Sequence, residues 1–458
     1  MTDRRLLRAG MLTAAMLLAL FGCRREPAEQ APTVQPSSSS LSVSSSPPSP
    51  PETKTVQGVV HWEEDGSFTI SNEAAKEVRL SLSGFPGDQD MIQEGAVIEA
   101  EYLEENEEPY SVCSLTLIAK PPLWAEYQVR AKEILSTMSI EEKAGQLFFI
   151  RCPDQGVAEI IEAYHPGGIL MFARDFEGLT FDETAEKIAA FQEASQIPLL
   201  IGADEEGGRV TRISFNPLLR SARFPSPQQL YSSGGMSAIA EDAEEKSRLL
   251  LSLGVNVNLA PVCDVSTSPL DFIYDRTLGQ DAAQTANYAD IVVRTMNREG
   301  IGCVLKHFPG YGNNLDTHTG IAYDYRPIET FESSDFLPFQ AGIEAGAGGV
   351  LVSHNIVFEM DPDRPASLSP EVHRILREEL GFEGVIMTDD LSMGAIAQYT
   401  DSAAVQAIQA GNDLLISTDY VRQIPEVLKA LEEGKLTEGQ IESASQRVLC
   451  WKLSLGLA

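Results

Sequence analysis

The stretch 304–319 reads V-L-K-H-F-P-G-Y-G-N-N-L-D-T-H-T, and it sets the reading of everything around it. The apolar run 302–305 has the length and composition of a buried strand, with Lys306 and His307 standing where that strand is expected to end. Pro309, Gly310 and Gly312 then break the chain into a loop that carries Asp316 and His318 two residues apart. Burying a lysine, two histidines and an aspartate without partners would be costly, whereas loops held on a rigid scaffold are where reactive groups gather. The stretch reads as a strand that feeds an active-site loop.

Units of the same kind recur from residue 121 onward. Apolar strand runs are expected at 146–150, 168–172, 198–203, 255–260, 302–305, 349–353, 384–388 and 413–417. Helical patterns lie between them at 182–194, 238–251, 282–298, 371–380 and 403–410. Eight continuous apolar strands alternating with amphipathic helices predict an α/β fold of the (β/α)8 TIM-barrel type, a parallel sheet covered on its outside. The polar clusters then converge. Asp204-Glu205-Glu206 follows the third strand, Asp264 the fourth, Lys306-His307 the fifth, His354-Asn355 the sixth and Asp389-Asp390 the seventh. In such a barrel every C-terminal strand end lies on one face, so these residues are expected to line one pocket.

Upstream the texture changes three times. Arg4, Arg5 and Arg8 precede an apolar run that ends at Leu20-Phe21-Gly22-Cys23, which predicts a lipoprotein signal over 1–23 with Cys23 as the lipidated residue. Residues 24–54 are rich in Pro and Ser and read as a disordered tether. Residues 55–120 contain five short alternating runs separated by turn residues, the pattern of a small OB-like β-barrel, a spacer or wall-contact module. The catalytic domain is expected over 121–458. The other cysteines, Cys113, Cys152, Cys263, Cys303 and Cys450, are scattered without metal-ligand spacing and read as free thiols. With 34 basic against 67 acidic residues, a net charge of −33, neither nucleic acid nor an anionic membrane surface is an expected partner. Membrane association through the lipid alone, a saccharide partner and a monomeric state are expected.

The pocket residues are carboxylates, histidines, a lysine and arginines, with no phosphate-cradling glycine loop, and no metal or cofactor is expected. A metal held by Asp204, Asp264, His307 and Asp389 would need all four around one point, which a sequence does not display. Carboxylates and imidazoles suit a sugar acetal, whose cleavage needs a nucleophile on one side of the anomeric carbon and a proton donor on the other. Asp389, short and fixed at a strand end, suits the nucleophile. His318 suits the donor, because an imidazole gives and takes protons near neutrality, and Asp316 would orient its ring. The competing reading of Asp316-Thr317-His318 is an Asx turn with an incidental histidine.

The segments Asp204-Glu205-Glu206-Gly207-Gly208-Arg209-Val210, Lys306-His307-Phe308-Pro309-Gly310, Asp316-Thr317-His318 and Thr388-Asp389-Asp390-Leu391-Ser392-Met393 resemble those of glycoside hydrolase family 3, in its β-N-acetylglucosaminidase branch. The resemblance runs from about Trp124 to the C-terminus. It implies a retaining mechanism with Asp389 as nucleophile and His318 as acid/base beside Asp316. It further implies that Asp204, Arg212, Arg276, Lys306 and His307 hold the hydroxyls and N-acetyl group of the terminal sugar. Residues 431–458 read as helix, so the proton donor is expected from the barrel and not from a second α/β domain. The chain departs from the branch pattern, Gly-His-Gly-Asp followed by Asp-Ser-His, at Tyr311, Asn313 and Thr317, which bears on the shape of the loop. The expected activity is an exo-β-N-acetylhexosaminidase on peptidoglycan-derived sugars. A neutral imidazole repels phosphate less than a carboxylate does, so phosphorolysis stands beside hydrolysis. The rivals are a β-glucosidase or β-xylosidase of the same family and a catalytically silent wall-binding lipoprotein.

Overall fold

The computed structural model describes residues 53–63, 65–72, 77–83, 85, 92–93, 95–103, 108–119, 121–314, 317 and 320–458. Cys23, most of the tether, Asp316 and His318 lie outside the described residues. Five strands come first: β1 (Thr53–Trp62), β2 (Phe68–Ser71), β3 (Glu77–Ser81), β4 (Val97–Leu103) and β5 (Tyr110–Ala119). They close into a barrel in the order β1-β2-β3-β5-β4, around Val56, Val60, Phe68, Ile70, Val78, Leu80, Ile98 and Tyr102. Alternation explains the choice of strand: along β3 the apolar Val78 and Leu80 turn inward while Glu77, Arg79 and Ser81 do not. β1 begins inside the stretch read as tether, because Thr53 and Lys54 pair with Leu103 and Tyr102 of β4.

The large barrel follows: β6 (Phe148–Arg151), β7 (Gly168–Met171), β8 (Leu200–Ala203), β9 (Val257–Asn258), β10 (Gly302–Phe308), β11 (Tyr323–Asp324), β12 (Gly349–Val352), β13 (Ile356–Val357), β14 (Val385–Thr388) and β15 (Leu415–Ser417). β11 and β13 form a separate parallel pair. The other eight run parallel in the order β6-β7-β8-β9-β10-β12-β14-β15, β15 pairing with β6, and a bridge from Met387 to Leu414 draws the two ends of the sheet together. The expected (β/α)8 barrel is therefore present, with the small all-β unit before it. Its interior is filled by Phe149, Leu170, Leu200, Val257, Val304, Leu351, Val385, Met387 and Ile416. The C-terminal helix Glu438–Ser454 sends Trp451 into that cluster. Gly348 makes room for it, since a Cβ there would lie 2.3 Å from Trp451 Nε1.

Among the boundaries that differ from the sequence expectation, two at the strands β6 and β10 have a direct physical reason. Gln146, expected to open the first strand, ends the helix Ile140–Gln146, which a Ser139/Glu142 capping box starts. β10 continues through Lys306 and His307 to Phe308, pairing Lys306 with Leu351 and Phe308 with Val352 across an irregularity at His307. Two polar residues do not end this strand because both are buried with partners. Among the described residues the cysteines are free, with Cys113 exposed and the others buried. Among the same residues no helix is long and apolar enough to cross a membrane.

Lys452, on the C-terminal helix, is wholly buried, and its Nζ donates to Gln146 Oε1 at 2.6 Å. Burial pushes its ammonium down from 10.5 to about 7. Between those two values the unfolded chain holds a proton that the folded chain has released, so stability rises with pH from about 7 to about 10.5. Lys452→Met is expected to raise stability near pH 7 by about 1–4 kcal/mol, less the cost of leaving the Gln146 oxygen unpaired. Thermal melts of the two proteins should converge as the pH approaches 10; a variant that melts lower at pH 7 contradicts this account of Lys452.

Candidate active site

The C-terminal mouth of the barrel holds a cavity of about 510 Å³, within the range of small-ligand pockets. Leu170, Leu259, Leu351 and Ile416 line it together with the charged residues described next. β8 and β14 stand opposite one another in the ring of eight, so Asp204, after β8, and Asp389, after β14, contribute from opposite walls.

On the β8 wall a buried charge network assembles. Lys306 Nζ reaches Asp204 Oδ1 at 2.7 Å and Glu206 Oε1 at 2.6 Å. Arg212 bonds the second oxygen of Asp204, Nη2 at 3.2 Å, and Arg276 grips Glu206 with Nε at 3.0 Å and Nη2 at 2.8 Å. Burial opposes the charge on both acids, but Lys306 and Arg212 hold Asp204 well below the usual carboxylate range. Arg276 and Lys306 likewise lower Glu206 to about 2. Glu205, between them, is fully buried and accepts from the backbone N–H groups of Arg212 and Ile213, so it braces the loop that delivers Arg212.

His307 is fixed at both nitrogens. Arg276 has no lone pair to offer, so its Nη2, 3.1 Å away, donates to His307 Nε2. That leaves Nδ1 as the donor to Asp264 Oδ2 at 2.7 Å. The other oxygen of Asp264 accepts the Tyr311 N–H at 2.7 Å, so one buried carboxylate ties the strand end to the start of the loop. Behind the loop, Arg326 bonds Asp324, Asp335 and the Gly310 carbonyl, and Asn314 bonds Asp324 and the Tyr311 carbonyl. The departures at Tyr311 and Thr317 meet each other: the Tyr311 hydroxyl accepts the Thr317 N–H at 2.9 Å and lies 3.1 Å from its Oγ1. Thr317 in turn offers its carbonyl to the Ala395 N–H at 3.3 Å, on the helix Gly394–Tyr399 that follows Asp389 in the chain.

Asp389 is half-buried, accepts the Asp390 N–H at 2.8 Å and lines the cavity. Asp390 turns to other work, accepting from Ser392 and Thr418. His354 spans from Ser367 to the Asp390 carbonyl, bracing this corner.

The comparisons with known proteins point one way. The model for the glycosyl hydrolase family 3 N terminal domain matches residues 139–450. The chain belongs to glycoside hydrolase family 3. Beta-hexosaminidase LpqI of Mycobacterium tuberculosis is 30% identical over 334 residues, 70% of this chain and 84% of the relative. A beta-hexosaminidase of Xanthomonas campestris is 34% identical over 231 residues, covering 50% of this chain and 69% of that one. Among solved structures, a family 3 beta-N-acetylglucosaminidase from Paenibacillus superposes with a TM-score of 0.66 at 30% identity, over 70% of this chain and 63% of that one. The chain thus spans less than two thirds of the Paenibacillus protein and most of the mycobacterial one. It is a glycoside hydrolase.

In this family 3 chain, Asp204, Arg212, Arg276, Lys306, His307 and Asp389 all border one cavity. Asp316 and His318 lie outside the described residues. Glu206 and the stack of Arg151 and Arg212 on Phe172 were not singled out from the sequence. Their signal was present in part: Glu206 belongs to the acidic run after the third strand, and Arg151 closes the first strand one residue past its expected end.

Proposed function

We propose that this enzyme removes terminal N-acetylglucosamine from peptidoglycan-derived saccharides by a retaining, two-step displacement. The observation that carries the reading is the opposition of Asp389 to the Asp204–Arg212–Lys306–His307 network across one cavity at the barrel mouth. The network would hold the sugar's hydroxyls and acetamide, and the Asp389 carboxylate would attack C1. His318 would give its proton to the departing oxygen as the C1–O bond breaks, leaving a glycosyl ester on Asp389. Water, losing a proton to His318, would then attack C1 and release the Asp389 carboxylate. Support for His318 comes from Thr317, its neighbour in the chain, which hydrogen bonds to Tyr311 on one side and to Ala395 on the other. The names of the mycobacterial, Xanthomonas and Paenibacillus relatives favour the N-acetylated sugar over glucose or xylose. Accordingly, kcat/KM on p-nitrophenyl N-acetyl-β-glucosaminide should exceed that on the glucoside and xyloside by on the order of 100-fold or more. Equal values on the three would contradict the proposed sugar.

A further inference from the structure

Four of the five cations that line the cavity already have a carboxylate. Arg209 pairs with Asp275 at 2.8 Å, Arg212 with Asp204, Arg276 with Glu206, and Lys306 with both Asp204 and Glu206. Arg151 is the fifth. It ends β6, directly across the ring from β10, and its side chain makes no hydrogen bond or ion pair with any described residue. Its Nε is buried without a partner. What holds the side chain is a ring: the Arg151 guanidinium carbon lies 4.9 Å from the Phe172 centroid, and that of Arg212 lies 5.4 Å from the same centroid. Stacking fixes the plane of a guanidinium and leaves its N–H edge available, the arrangement that suits bidentate capture of a planar anion. A ligand in the cavity would meet the two Nη groups, which have no partner among the described residues and, unlike Nε, are not closed off from solvent.

We propose that Arg151 is a specificity residue of this pocket that pairs with a carboxylate borne by the saccharide. The inference rests on the proposed glycosidase reading and adds to it the charge of the substrate. The carboxylate has two possible sources: the terminal sugar itself, oxidised at C6, or an O-lactyl ether on the sugar to which it is linked. A neutral hydroxyl is the weaker alternative, since it would match one N–H of the fork instead of two and would leave the charge unpaired in the cavity.

The test compares kcat/KM on matched acidic and neutral substrates at low and high salt. For the first source the pair is a p-nitrophenyl glycoside of 2-acetamido-glucuronic acid against p-nitrophenyl N-acetylglucosaminide. For the second it is N-acetylglucosaminyl-β-1,4-N-acetylmuramic acid against N,N′-diacetylchitobiose. The wild-type enzyme should prefer the acid in one pair, and that pair identifies the source. Arg151→Met should lower the acid-to-neutral ratio on the order of 10–100-fold, the worth of a charge-assisted hydrogen-bonded pair. Arg151→Lys, which keeps the charge and loses the fork, should fall between. No acid preference in either pair, or a ratio that Arg151→Met leaves unchanged, overturns the proposal. Turnover of neutral N-acetylglucosaminides without charge preference sinks only the role of Arg151, whereas absence of turnover on every substrate removes the glycosidase reading and this inference with it.

Discussion

Asp389→Ala is expected to abolish turnover of p-nitrophenyl N-acetyl-β-glucosaminide, with a fall in kcat on the order of 10⁴-fold or more, the loss that follows if the proposed attacking group is removed from a unit that works together. The size follows from its position. Asp389 sits at the C-terminal end of β14, its backbone N–H held by the Val352 carbonyl at 3.1 Å, and it lines the cavity opposite the charge network. Among the described residues no neighbouring carboxylate is free to substitute: Asp390 accepts from Ser392 and Thr418, while Asp204 and Glu206 are committed to Lys306, Arg212 and Arg276. Stability should change little, because the side chain is half-exposed at the mouth and outside the apolar core. Azide, small enough to enter the space left by the carboxylate, should restore part of the rate and yield the α-glycosyl azide. A variant that keeps near wild-type turnover refutes the nucleophile assignment.

Lys306→Met has the largest expected effect on stability. Lys306 is 2% exposed and is the shared partner of Asp204 and Glu206, so its loss leaves two buried carboxylates with one arginine each. Breaking a buried pair by removing one member costs about 3–5 kcal/mol, which in a chain of this size lowers the melting midpoint by on the order of 3–5 °C. The pH dependence has a defined sign. Glu206 is lowered from 4.5 to about 2 in the folded state, so it contributes stability that is present above about 4.5 and lost as pH falls toward 2. With Lys306 gone, burial is less well opposed, and the acid limb of the stability curve moves to higher pH. Melting curves between pH 3 and 7 check this; a variant as stable as wild type, with an unmoved acid limb, would show that Lys306 is not the centre of the network. Substrate affinity should fall as well, since Asp204 and Arg212 lose their anchor.

Much of the barrel was legible because its strands are buried on both sides, and such strands read as plain apolar runs. Errors arose where polarity and burial part company. Lys306 and His307 look like a strand ending, yet β10 continues through both, since Asp204, Glu206 and Asp264 supply partners from other strands. The helix expected from residue 238 starts at Pro227, under a Ser226/Gln229 capping box. Gly235, at φ 63° and ψ −149°, interrupts it and hides its first turns from a periodicity reading. Strand ends pointed to Asp204, Asp264, His307 and Asp389, because the closure of a barrel turns position along a strand into position on one face. The pairing of Glu206 with Arg276, seventy residues later, depends on loop paths that no local pattern encodes. Arg151 was missed for a simpler cause: a single cation after an apolar run is ambiguous until the ring of Phe172 is seen beside it and its side chain is seen to have no ion-pair partner among the described residues.

The covalent step is the centre of the account, and trapping it is the most direct measurement. A 5-fluoro N-acetylglucosaminyl donor, whose electron-poor ring slows breakdown of the ester more than its formation, should label the enzyme once per chain. Peptide mapping by mass spectrometry should then place the sugar on Asp389. Label on a different residue, or an active enzyme that hydrolyses the donor with inversion and without ever carrying label, would contradict it.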